Sequence, residues 1–340
     1  ANWGHTPVAG VQLAAYNNVS NNIAFYSGGG NVVIKGKSAN GMPGIAWMAG
    51  SGGTQIINSG DGTITIDGQA VGTGHGIEFN YGGGGASPLL QSSSNAAVAI
   101  SVSGTTTSTG PHAGYQGKAT FSATGSGGIS LSGTTSATAY RSVQANPINL
   151  YAASGAITIT GTGGTSINVD GTWGKGTLAS SSSPITVTAT NITLNSTTIS
   201  TSGNITFNGA LTISSDQSIA SSAGTITFSS TINSDSTSTP RALTVAAGTG
   251  SVVFGGAVGG SYALRNLTAS GSAGITINGN ITTATGFDDG LLFEKFEGYI
   301  GDDLTLFNTA TRQNIPSTEV TGGAGTSSSV IGNFVEVCIN

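Results

Sequence analysis

Between residues 62 and 286 this sequence holds only five carboxylates, Asp67, Glu78, Asp170, Asp216 and Asp235. Glycan-cleaving chemistry needs two carboxyl groups converging on one groove, to protonate and attack or to hold a metal. Asp67 and Glu78 stand 11 residues apart, a spacing that points them in different directions; Asp216 and Asp235, 19 apart, come nearest to a regular repeat. Up to residue 286 only Arg241 and Arg265 lie downstream to orient a substrate, so no enzyme is expected.

A denser acidic run, Asp288, Asp289, Glu294, Glu297, Asp302 and Asp303, supplies hard oxygen atoms of the kind calcium takes. Its spacing is not that of an EF-hand loop, and the glycine-rich calcium nonapeptide is absent. A solvated polar loop is the expectation, with Asp288, Asp289, Asp302 and Asp303 as the remaining calcium candidates. His5, His75 and His112 lack the short spacing of a zinc site, and the lone Cys338 adds no second thiol. No G-x-S-x-G elbow accompanies the many serines, and "SGGGN" and "NYGGGG" lack the lysine and helix of a phosphate cradle. No cofactor is expected.

The elements that position these residues are read from composition and period. Charged residues are 7% of the chain, against about 25% in average soluble domains, while glycine reaches 56 of 340 residues. Uncharged hydrogen bonders replace the usual charged surface. The net charge of −5 comes without a basic tract, which argues against nucleic acid or an anionic membrane as partner. No run of 18 apolar residues exists, so membrane insertion is not expected. The opening "ANWGHTPVAG" lacks the regions of a signal peptide and is read as the start of a mature or excised segment.

Isoleucine outnumbers leucine 29 to 15, and β-branched side chains suit a pleated strand. The template G-x-[IV]-x-[IFL]-x-G recurs as "GTITIDG" from Gly62, "GGISLSG" from Gly127, "GAITITG" from Gly155, "GNITFNG" from Gly203 and "GSVVFGG" from Gly250. "GTITFSS" from Gly224 and "AGITING" from Ala273 are looser copies. Successive starts are 65, 28, 48, 21, 26 and 23 residues apart; taking 65 as three units and 48 as two gives about 23 residues per unit.

Period-2 alternation gives each unit one apolar and one wet face, and a single strand cannot bury the apolar face alone. Stacking units as coils does so. The expected fold is therefore all-β, a right-handed parallel β-helix of about 14 to 15 coils. Its expected core ladder is Ile64, Ile66, Ile157, Ile159, Ile205, Phe207, Ile226, Phe228, Val252, Phe254, Ile275 and Ile277.

Ten of the 22 aromatic residues fall in two terminal stretches, 1–50 and 287–307. Open coil ends need covering, so these stretches are expected to be caps, or docking surfaces with Trp3, Trp47, Phe293, Phe296 and Tyr299 as contacts. The expected organisation is an N-terminal cap over 1–50, repeats over 51–286, and a C-terminal cap or the start of a further β module over 287–340.

The stretches "GAITITGTGGTSINVDG", "ALTVAAGTGSVVFGGAVGG" and "LRNLTASGSAGITINGNITT" resemble the repeats of filamentous-haemagglutinin-type adhesins and autotransporter passengers of Gram-negative bacteria. That resemblance implies an extracellular parallel β-helix, secreted to the cell surface or matrix and used as an adhesive stalk or fibre. Its partners would be copies of itself, adjoining domains of a larger chain, or host and matrix glycans. The chain has "NPINL" from Asn146 where the secretion domains of such adhesins carry Asn-Pro-Asn-Leu, so no part of it is assigned to secretion. The segment from Phe287 is similar to the opening of protective-antigen-type sugar-binding modules. Two other readings stay open: a carbohydrate-binding or tailspike-like β-helix, and an ice-binding β-solenoid presenting Thr63, Thr65, Thr225 and Thr227.

Overall fold

The structure, a computed structural model, describes residues 9–14, 22–39, 41–48, 55–79, 87–138, 140–164, 166–175, 183–284, 291–294 and 306–307. Among them there is no helix, and the described strand pairings are parallel. The architecture is all-β and consistent with a β-helix or solenoid. Two compact units divide the chain, 1–191 and 192–340.

In the first unit each coil has three sides. The first side stacks Val32–Ser38, Ile64–Ala70, Val98–Thr106, Gly128–Thr135, Ile157–Thr162 and the opening residues of Ile185–Thr201. The second begins Val11–Ala14, Ile45–Met48, Ile77–Phe79 and continues through the first part of Tyr115–Ala123. The third runs Ile23–Tyr26, Gln55–Asn58, Leu89–Ser92 and the last part of Tyr115–Ala123.

Alternation does the sorting. Ile64, Ile100, Ile129, Ile157 and Ile185 follow one another in register, all fully buried or within 1% of it. Burying each isoleucine stabilises the coil by roughly 1.5–3 kcal/mol. On the second side, Trp47, Phe79 and Tyr115 pack edge to face, with ring centroids 5.5 and 5.7 Å apart. A file of glycines, Gly36, Gly68, Gly104, Gly133 and Gly161, marks the approach to the corner between these sides. A Cβ on Gly68 would collide with the Gly76 carbonyl, and one on Gly104 with that of Gly114, so only glycine lets the walls approach this closely.

Coil length here departs from the 23 residues expected. Ile64 to Ile100 is 36 residues and Ile100 to Ile129 is 29, so the 65-residue interval holds two coils and not three. The extra residues sit in corners such as 71–76 and 107–114, where no strand pairing fixes the length. Among the described residues, the file from Val32 passes through six coils in this unit.

The second unit has shorter coils. Ile205, Ile226, Val252 and Ile275 are successive Cα partners, 21, 26 and 23 residues apart. Phe207, Phe228 and Phe254 stack nearly parallel beside them, with centroids 5.3 and 5.5 Å apart and interplanar angles of 5° and 4°. Other files run Leu211, Ile232, Val258, Ile281 and Leu243, Leu267, Leu291. The last of these residues in the first file, Ile281, pairs in turn with Leu306, so among the described residues that file passes through five coils.

Corner hydrogen bonds explain why so polar a sequence folds. Asn31, Asn95, Asn204, Asp216 and Asn233 each accept, through Oδ1 and at 2.9 Å, a backbone N–H of the following coil, from Thr63, Ser126, Thr225, Ala242 and Ser261 respectively. Each side chain satisfies a corner amide that strand pairing leaves out.

Candidate functional site

The outward residues of the first side in unit one form regular files. Thr65, Ser101, Ser130, Thr158 and Thr186 make one; Asp67, Ser103, Ser132, Thr160 and Thr188 make the next. Neighbours within a file are about 4.8 Å apart and adjacent files about 6.7 Å apart, from strand spacing and two residues of rise. From Ser101 onward these two files carry hydroxyls alone, half-buried by their neighbours. Beyond Asp67 the face donates and accepts hydrogen bonds through hydroxyls, with no further charge in either file.

The sequence-predicted core residues fall as follows. Ile64, Ile66, Ile157, Ile159, Ile205, Phe207, Ile226, Phe228, Val252, Phe254 and Ile275 are buried to within 1%, and Ile277 is half-buried. Trp47, expected among the assembly contacts, is instead a core residue: it is 0% exposed and its Nε1–H donates to Gln55 Oε1 at 2.8 Å, leaving no ring surface for a partner. Phe293 lies in Leu291–Glu294, its backbone opposite Ala269. Trp3, Phe296, Tyr299 and the calcium candidates Asp288, Asp289, Asp302 and Asp303 lie outside the described residues. At the first strands of unit one, Phe25, Tyr26 and Val33 are 41%, 67% and 58% exposed around a cavity of about 500 Å³.

The spaced carboxylates are separated. Asp67 sits on the first side and Glu78 on the second. Asp216 takes the Ala242 amide through Oδ1 and Arg265 through Oδ2, at 2.6 Å. That backbone bond, and then Arg265, hold its carboxyl below the usual range. Asp235 is bound by Arg241 through Nε at 2.8 Å and Nη2 at 3.3 Å. Each aspartate is thus tied to its own arginine. Among the described residues no three His, Cys, Asp or Glu side chains gather as a metal site.

One polar corner joins residues that no short spacing in the sequence links. His75 and His112, 37 residues apart, meet edge to face with centroids 5.1 Å apart, because they occupy the same corner of successive coils. His75 Nδ1 accepts the Ala113 N–H at 3.0 Å, and Ser108 Oγ contacts His112 Nδ1 at 2.9 Å. Thr135 Oγ1 donates to the His112 carbonyl, and Thr106 Oγ1 to that of Gly74. Burial, and then the neighbouring His112, lower the His75 pKa to about 4. Ser108 is 2% exposed and its hydroxyl also receives the Gly110 N–H, so this serine–histidine contact locks a turn and presents no nucleophile to solvent. Separation by one coil length is the sequence signal that would have found the pair.

Compared with known protein families, curated proteins and solved structures, the chain matches none, so its functional reading rests on the coil architecture and the chemistry of its faces.

Proposed function

We propose that this chain is an extracellular structural and adhesive protein, a right-handed parallel β-helix that serves as a stalk or filament subunit of a bacterial surface adhesin. The observation that carries the reading is the in-register stacking of like residues, Ile over Ile and Phe over Phe, in coil after coil. Such a chain gains length by adding coils and stiffness from continuous ladders. A surface with few charges leaves little to titrate or screen outside the cell. The aromatic-rich ends would cap the stack or join it to copies of itself or to adjoining domains, with Trp3, Phe293, Phe296 and Tyr299 as contacts. Host or matrix glycans would meet the polar flanks. Electron microscopy of the native material tests this: rods or fibres are expected, and globular particles alone would reject it.

A second reading, adsorption to ice, is favoured by one observation, the adjoining files of hydroxyls on a charge-free part of the first unit. Hydroxyls held at fixed intervals can order water into the same repeat. Thermal hysteresis in dilute solution, lost in Ser132→Lys, is the expected result, and freezing at the colligative value would exclude it.

A further inference from the structure

The outward column of the second side in unit one runs Ala46, Glu78, Gln116, Gln144, each the Cα partner of the next. Outward residues on the first side are half-exposed, yet here Ala46, Gln116 and Gln144 are only 2%, 3% and 8% exposed. Glu78 is half-buried between the first two. A buried amide oxygen needs a donor. Gln144 Oε1 has one, the Tyr140 hydroxyl at 3.0 Å. Gln116 Oε1 has none. Its neighbour on the other side is a carboxylate, which when ionised offers acceptors only.

We propose that Glu78 is protonated in the folded protein at neutral pH and donates its carboxyl O–H to Gln116 Oε1, one proton from solvent satisfying both groups. Burial alone pushes the Glu78 carboxyl above its ordinary value, in the same direction. On the packed elements, Ile45–Met48 has no ionisable side chain; Tyr115–Ala123 carries Tyr115, inside the core, and half-buried Lys118; His75 precedes Glu78 and Asp67 lies on the next side. None of these contributes to the shift. One carboxylate and one amide oxygen fall well short of the roughly six to eight ligands that calcium takes, which favours a proton over a cation.

The sign follows from linkage. A raised folded-state pKa gives stability that is full below the ordinary glutamate value and is lost as pH rises through the folded value. The test uses the full chain. Infrared spectra with ¹³C-labelled glutamate should show a protonated carboxylic-acid band at pH 7 that Glu78→Gln removes, and the wild-type melting temperature should fall relative to Glu78→Gln between pH 5 and 8. Lys118→Gln should leave that fall in place. Absence of the acid band at pH 7 would overturn the proposal, and this readout on the unsubstituted protein stands even if Glu78→Gln does not fold. So would loss of the fall in Lys118→Gln, which would mean an ion pair, or a rise in melting temperature on adding calcium that Glu78→Gln lacks.

Discussion

Ile205 and Ile226, 21 residues apart in the chain, are Cα partners in parallel strands, and both side chains are fully buried. Their next partner in the file, Val252, is fully buried as well. Ile226→Asp is expected to cost several kcal/mol, roughly 3–5, because it seals an unpaired carboxylate into a thin core. Thr227→Asp, one residue on and facing outward, should cost under about 1 kcal/mol. Urea titration of the two variants checks the contrast.

Gly104 stands where a Cβ would run into the Gly114 carbonyl. Replacing it with alanine adds only a methyl group to a strand and would ordinarily be neutral or favourable. Here the backbone must shift on both walls, and a loss of about 1–3 kcal/mol is expected. The same substitution at Gly72, whose Cβ would meet nothing, faces only the strain of its φ of 86° and should cost less. Thermal melts rank the pair.

Asn204 holds the Thr225 amide at 2.9 Å across one coil step. Asn204→Ala removes the acceptor and leaves a corner N–H to water, at a cost of about 1 kcal/mol. Asn204→Asp keeps an acceptor and should restore most of the loss. Amide hydrogen exchange at Thr225 should speed up in the alanine variant and recover in the aspartate one.

His75 titrates in the folded protein near 4. Its lowered pKa means that the unfolded chain binds the proton first, so its contribution is full above about 6.5 and is lost as pH falls from there towards 4. The loss is on the order of 2–3 kcal/mol. His75→Gln should flatten the acid limb of a melting-temperature profile; an unchanged limb would place the acid sensitivity elsewhere. Glu78 acts with the opposite sign, its contribution falling as pH rises above the ordinary glutamate value, so the two side chains oppose each other where their windows overlap.

Side-chain alternation was legible in the sequence because it is local. The backbone fixes a period of two, and "GNITFNG" therefore announces which of its residues turn inward before any partner is known. The second unit's coil length was legible for the same reason, since its corners are short and the template repeats at nearly constant intervals. The first unit's was not: corners such as 107–114 carry no periodic signal, and loop-closure entropy changes little with a few added residues, so the chain could lengthen there without betraying it.

Tertiary stacking alone decided what lies over what. His75 meets His112, Glu78 meets Gln116, and Asp216 meets the Ala242 amide because each separation happens to equal one coil. Trp47 shows the same limit. Its position among the terminal aromatics suggested a contact surface, but the parity of its strand sends the indole inward over Phe79, where hydrocarbon burial outweighs proximity to the chain end. Composition and period determined that this chain would be a stacked, weakly charged β structure, whereas the side-chain pairings that tune it came from coil lengths set by the corners.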